Sequence, residues 1–345
     1  MAIAEVYSAE TTINNFFIKT SATRAECEAR AAELTGGKAI PVTIQGDSSY
    51  TVYAGPELEH VVQFRPKSLE LRTATSALAS KIYGTLAPTV AFKGQIGDEA
   101  AGKEPLYIYV MNRIKGVSYL DFILASENHE NSLAAFAARK NLITSIAKFH
   151  ALSWNTPQVV GPEYRDELKD RYSSDLALLH TTLPERFHPA IQACRDAMEP
   201  IMSLPMVLLH KDFGTSNIMV NEESCHFVGV VDWAEAEVCP FGSNLHSLQQ
   251  LTGKLHYEGG WSRYDDYDDL QETFWSVFQK EVAGLPEETL QTIKLARIMG
   301  LFLSKGFTGL LKDGPGRVPI QDDERGRYNM LSLDGFLLDE ATKFD

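Results

Sequence analysis

Between residues 38 and 112 apolar and polar positions alternate in short runs: "AIPVTI" (39–44), "YTVYA" (50–54), "HVVQFR" (60–65) and "LYIYVM" (106–111). A period of two sends alternate side chains to one face, so each run predicts a strand. Gly46 and the pair Gly55-Pro56 punctuate the first three, as hairpins require. Between the third and fourth, "SLELRTATSALASKIYG" carries Leu69, Ala77, Leu78 and Ile82 at helical intervals, and Gly84 ends the pattern. From Ser118 onward the period lengthens. "SLAAFAARKNLITSIAKFHALSW" sets Leu133, Phe136, Leu142, Ile146 and Phe149 mostly on one face, which predicts a core helix. "PEETLQTIKLARIMGLFL" opens on Pro286 and acidic residues, suited to a helix start, and turns Leu290, Ile293 and Ile298 inward. One segment interrupts this helical half: "MVLLH" (206–210), "NIMV" (217–220) and "HFVGVVDW" (226–233) predict short buried strands that deliver polar groups to one edge. The pattern is α+β: a small antiparallel sheet with one helix, then a larger, mostly helical part.

At 345 residues the chain exceeds what one core usually serves, which favours a bilobal unit or two domains. The lobes are expected at 1–112, an N-terminal extension with the small sheet lobe, and 113–345, the large helical lobe. A formal net charge of -14 argues against a sequence-independent grip on nucleic acid, which needs surplus Lys and Arg. Cys27, Cys194, Cys225 and Cys239 lie far apart and show no Cys-x-x-Cys pair, as thiols of a reducing compartment would. The start, "MAIAEVYSAETTINNFF", does not read as a secretion signal, and no apolar stretch approaches a membrane span. A cytoplasmic protein with a small-molecule substrate is expected. The stretch "KDGPGRVPIQDDERGR" (312–327) is a charged, turn-rich connector to a short tail.

His210, Asp212 and Asn217 form the pattern H-x-D-x-x-x-x-N of phosphotransferase catalytic loops, and Asp232 follows at the end of a strand. The chemistry explains each type. A carboxylate at Asp212 can accept or orient the proton of an attacking hydroxyl, while Asn217 and Asp232 supply hard oxygen ligands for magnesium. Magnesium bridging nucleotide phosphates would offset the cost of burying Asp232. Turn and cap positions would suit each residue singly.

"LLHKDFGTSNIMV" with "VGVVDWAEAEVCPFG" resembles the aminoglycoside phosphotransferase and choline kinase family, in the version seen in many fungal proteins. "YVMNRIKGVSYLDF", "LITSIAKFHALSW" and "SKIYGTLAPTV" are similar to its hinge, its helix before the catalytic loop, and its small-lobe helix leading into the next strand. The resemblance runs from about 40 to 250 and implies a bilobal protein-kinase-like fold, ATP with magnesium, and a small-molecule hydroxyl as acceptor. It casts Asp212 as base, Asn217 and Asp232 as metal ligands, and His210 as support for the loop. Gly46, Ser48 and Ser49 would cover the triphosphate. Gln63 or Arg65, with Lys67 further on, would stand where the family has a strand lysine, and arginine suits phosphate best. Glu70 is the nearest partner for that basic group. The main chain of Met111, Asn112 and Arg113 would read the nucleotide base. Asn244 replaces an aspartate the family often has, which touches the anchoring of the loop.

For the acceptor, Glu235 and Glu237 follow Asp232 directly, and His246 comes soon after. "GGWSRYDDYDDLQETFW" interleaves Trp261, Tyr264, Tyr267 and Trp275 with Asp265, Asp266, Asp268 and Asp269, a mixture that could hold an amine. The same stretch also suits an acidic helix start with aromatics in the core. His150 lies on an apolar helix and reads as a core residue. Two other functions are compatible with these residues: nucleotide or metabolite binding without turnover, and activation of a carboxylate as an acyl phosphate.

Overall fold

The computed structural model describes residues 8–99, 102–127, 129–308 and 317–344. By contacts the chain divides into two compact units, Met1–Lys115 and Gly116–Asp345.

In the first unit, α1 (Ala9–Ile18) and α2 (Arg24–Thr35) precede β1 (Lys38–Pro41), β2 (Tyr50–Gly55) and β3 (His60–Pro66). Then come α3 (Thr73–Tyr83), β4 (Val90–Ile96) and β5 (Leu106–Asn112). The strands form one antiparallel sheet in the order β1-β2-β3-β5-β4. Alternation sets its core face: Tyr50, Val52 and Ala54 point inward, with Val62 and Phe64 facing them in register. Ile13, Phe16, Cys27 and Ala31 of α1 and α2 pack onto this cluster with Leu106 and Ile108. Each fully buried large apolar side chain there stabilises by about 1.5–3 kcal/mol. A capping box between Thr23 and Glu26 starts α2, and Gly36, with φ +72°, ends it.

Three details depart from the periodicity. The first strand stops at Pro41, because the Gln45 side chain bonds the carbonyls of Val42 and Thr51 and the Thr51 N–H, holding 42–49 as a loop. Leu69 falls in a 3-10 turn before α3, and the buried face of that helix is Ser76, Ala79, Ile82 and Tyr83. Leu133, in the helix described next, is exposed on its first turn.

The second unit begins with β6 (Val117–Ser118), α4 (Tyr119–Ala125), α5 (Leu133–Trp154) and α6 (Pro162–Thr182). After α7 (His188–Asp196) and α8 (Met198–Ser203) come β7 (Met206–Leu209), β8 (Ile218–Val220), β9 (Phe227–Val230) and β10 (Glu237–Pro240). β7 pairs with β10, and β8 lies between β6 and β9. A hairpin of β11 (Gly253–His256) and β12 (Gly260–Arg263) leads to α9 (Tyr267–Glu281), which packs along α5. The last helices are α10 (Glu287–Lys305) and α11 (Arg327–Leu337). Met330, Leu333 and Phe336 of α11 are buried, and Phe336 meets Trp261 at 4.6 Å and Phe344 at 5.7 Å, so the C-terminal tail packs within this unit. Residues 312–316 of the connector read at 312–327 lie outside the described residues. Among the described residues no helix is long and apolar enough to cross a membrane.

Candidate active site

β7 is buried at every position and delivers His210 into the interior. Its Nε2–H donates to the Val231 carbonyl at 2.9 Å, which fixes the tautomer because a carbonyl can only accept. The ring stands edge-on to Trp233 at 4.9 Å, and burial pushes its pKa below the ordinary histidine value. Asn244 donates from Nδ2 to the His210 carbonyl at 3.3 Å. Phe213, buried against Phe149 and His150, pins the loop from the other side.

Between these anchors Asp212 is exposed. Asn217 donates from Nδ2 to the Asp212 carboxylate at 2.8 Å and to its carbonyl at 2.9 Å. The Gly214 carbonyl accepts from the N–H groups of Asn217 and Ile218, closing the turn that brings Asn217 back. Asn217 then enters β8, and the Val231 N–H donates to the Asn217 carbonyl at 3.0 Å, extending the β8–β9 ladder by one step. Asn217 and Asp232 therefore leave neighbouring strands at the same end of the sheet. Asp232 sits at φ +61°, ψ +69°, a left-handed conformation that costs a non-glycine residue about 1–3 kcal/mol. Trp233 locks it there: the indole is buried and donates to the Val230 carbonyl at 2.9 Å.

One electrostatic expectation changes. Asp232 is exposed, like Asp212, so no burial cost needs offsetting by a metal. Asn217 turns its amide nitrogen to Asp212, and among the described residues its Oδ1 has no protein donor. Among the described residues Asp232 accepts on Oδ1 only a long bond, 3.5 Å, from Ala234. Among the described residues no three His, Cys, Asp or Glu side chains gather as a metal cage. One amide oxygen and an exposed carboxylate fit a hard cation whose remaining ligands are water and phosphate oxygens.

The other site candidates lie as follows. Glu237 is bridged by Arg171 at 2.6 Å and Lys211 at 3.4 Å; burial opposes its charge, yet these two cations bring its pKa below the usual carboxylate range. Glu235 is exposed in a 3-10 turn. His246 is buried, and burial pushes its pKa down to about 3, so it is a neutral core residue. Trp261 is buried against Phe336 and donates to Ser332 at 3.4 Å. Asp265 is exposed, while its neighbour Asp266 forms a buried pair with Arg139 at 2.9 Å. His150 stands among phenylalanines in the core.

In the first unit Arg65 is buried, and its Nε donates to the Leu69 carbonyl at 2.8 Å, with Nη1 3.5 Å from Gln63. Glu70 is exposed at the end of the 3-10 turn, and Lys67 pairs with Glu99 at 2.7 Å. Gly46 is exposed in the 42–49 loop with open space around it; Ser48 is half-buried, and Ser49 shares a hydrogen bond with Thr51 at 3.2 Å. Met111 pairs with both Val61 and Val90. Asn112 accepts from the N–H and hydroxyl of Thr89. The Arg113 N–H is taken by the Glu59 carbonyl at 2.8 Å, and its guanidinium lies 3.7 Å from the centre of the Tyr53 ring. Gln45, which shapes the loop, gave no sequence signal beyond being polar in a turn.

The sequence profile of the phosphotransferase enzyme family matches residues 56–282, most of the chain and all of the stretch from His210 to Asp232. The chain belongs to the phosphotransferase enzyme family. Among solved structures, this phosphotransferase is similar to a putative aminoglycoside phosphotransferase from Ralstonia eutropha JMP134, at 15% identity and a TM-score of 0.51, covering 90% of this chain and 96% of that one. It is also similar to an ethanolamine kinase from Plasmodium vivax, at 12% identity and a TM-score of 0.51, covering 99% and 97%. At these identities the likeness shows the kinase-like α+β fold. Among curated proteins none matches the phosphotransferase sequence.

Proposed function

We propose that this small-molecule phosphotransferase moves the γ-phosphoryl group of ATP to a hydroxyl, with Asp212 accepting the hydroxyl's proton. The observation that carries the reading is the pair of hydrogen bonds from Asn217 to Asp212: they hold the carboxylate in place while leaving the Asn217 side-chain oxygen, Oδ1, to a ligand. Asn217 and Asp232 would hold magnesium, which when bound neutralises phosphate charge. His210 acts on neither substrate; its bond to Val231 joins the start of the loop to the strand that ends at Asp232. Four thiols, all buried and none paired, suit a reducing cytoplasm.

Asp212→Asn keeps the Asn217 contact nearly isosteric but removes the base. Turnover should fall by at least about a hundredfold, as expected for loss of a general base, while stabilisation by MgATP in a thermal titration persists. A variant that still consumes ATP against its acceptor would rule out Asp212 as base. The acceptor can be sought by incubating protein, MgATP and a metabolite extract and looking for a mass gain of one phosphate. A second reading, nucleotide binding without turnover, is favoured by the Arg65 Nε, which is spent on the Leu69 carbonyl. Stabilisation by MgATP with no ATP consumed against any hydroxyl compound would select it.

A further inference from the structure

The turn between Asp212 and Asn217 has open space on one side. Gly214 lies at its middle, and its carbonyl accepts from the N–H groups of Asn217 and Ile218 at 3.0 Å, which seats the turn against the start of β8. The Leu120 N–H, in the first turn of α4, donates to the Thr215 carbonyl at 3.0 Å and ties the same turn from another side. Gly214 itself presents no side chain. Around the point where its Cβ would stand, its chain neighbours aside, the one atom within 4 Å among the described residues is Oε1 of Gln250, at 3.5 Å.

Gln250 reaches this point from a braced segment. It belongs to the 3-10 stretch Leu245–Leu251, whose other six residues are all buried. Asn244, just before the stretch, holds the His210 carbonyl, and Gln249 accepts from Arg263, whose guanidinium also donates to the Thr342 carbonyl. Gln250 alone in the run is half-buried, and among the described residues its amide makes no hydrogen bond. A glutamine serving only the fold would be bonded within it, as Gln249 is to Arg263, and one serving only solubility would turn to bulk water. This one turns its oxygen to the loop that carries Asp212 and Asn217. An amide donates and accepts, as a hydroxyl does, and it has no charge. It therefore matches an uncharged polar group better than a phosphate, for which charged donors are the stronger partners.

We propose that Gln250 is a specificity-determining residue of this phosphotransferase, whose side-chain amide hydrogen-bonds an uncharged polar group of the acceptor while the reacting hydroxyl lies at Asp212. The inference rests on the phosphotransferase reading above and deepens it: the acceptor carries a second hydroxyl, or an amide, near the hydroxyl that is phosphorylated. A compound without that group strands the Gln250 amide when it displaces water, and is discriminated against for that reason.

The test compares the full-length wild-type protein with Gln250→Leu, which keeps much of the bulk but can neither donate nor accept, and with Gln250→Ala, which makes no demand on fit. Each is incubated with MgATP and the same metabolite extract, and products are followed by mass as the gain of one phosphate. Both variants should form the wild type's main product about ten- to a hundredfold more slowly, as for a hydrogen bond lost with one partner left unpaired, while the urea midpoint and the thermal stabilisation by MgATP stay at their wild-type values. Product formation within about twofold of wild type in either variant overturns the proposal. So does a slowdown that comes with loss of MgATP stabilisation or of the urea midpoint, which would give Gln250 to the nucleotide or to the fold. A wild-type protein that phosphorylates nothing in the extract fails the phosphotransferase reading itself, whereas equal product from wild type and variants fails this inference alone.

Discussion

Asn244 shows how one side-chain atom redirects an anchor. Where the family often carries an aspartate, this chain has an amide that donates to the His210 carbonyl. A carboxylate there would turn an acceptor onto an acceptor. Asn244→Asp should therefore cost about 1–3 kcal/mol, the penalty of unmaking a buried hydrogen bond, read as a lower midpoint in urea unfolding. Unchanged stability would mean that the amide does not support the loop. The residue types at His210, Asp212, Asn217 and Asp232 were legible because their spacing follows from turn and ladder geometry. The state of Asp232 was not: a carboxylate after an apolar strand looks buried in sequence, yet its left-handed backbone turns it out to solvent.

At the scale of elements, α10 is fixed by an absence. Gly300 lies mid-helix, where alanine would normally gain about 1 kcal/mol. Here the added methyl would press on the Ser243 carbonyl, which is backbone and cannot step aside. Gly300→Ala should destabilise by about 1–3 kcal/mol through overpacking. It should also lower turnover, because Ser243 adjoins the residue that holds His210; calorimetry and ATP consumption on one preparation check both. Alternation revealed β2, β3 and β5 because each buries one face against the N-terminal helices. β4 was reached only through the resemblance, since Gly94, at φ +99°, sits at a bulge that breaks its period. α2 stayed hidden because it buries only Cys27 and Ala31, too small and too few to mark a stripe.

For the molecule as a whole, the buried histidines set the acid limit of stability. His150 and His246 have their pKa values pushed from 6.5 down to about 3 by burial, and that of His210 is lowered too. Unfolded, each takes up a proton near 6.5; folded, each resists until far lower pH. Below 6.5 the unfolded state thus binds more protons, so stability falls as pH drops, by up to about 1.4 kcal/mol per pH unit for each such histidine, until the folded pKa is reached. The -14 net charge confuses this only at lower pH, where carboxylates begin to titrate; between 6.5 and 5 the histidines dominate. Urea unfolding across that window should therefore show a steep fall, and His150→Phe, which keeps an aromatic ring among Phe149, Phe213, Phe241 and Phe274, should flatten it by about one histidine's share. If the slope stays the same, His150 carries its proton in the folded protein, and the apolar core built around it cannot be as dry as its packing implies.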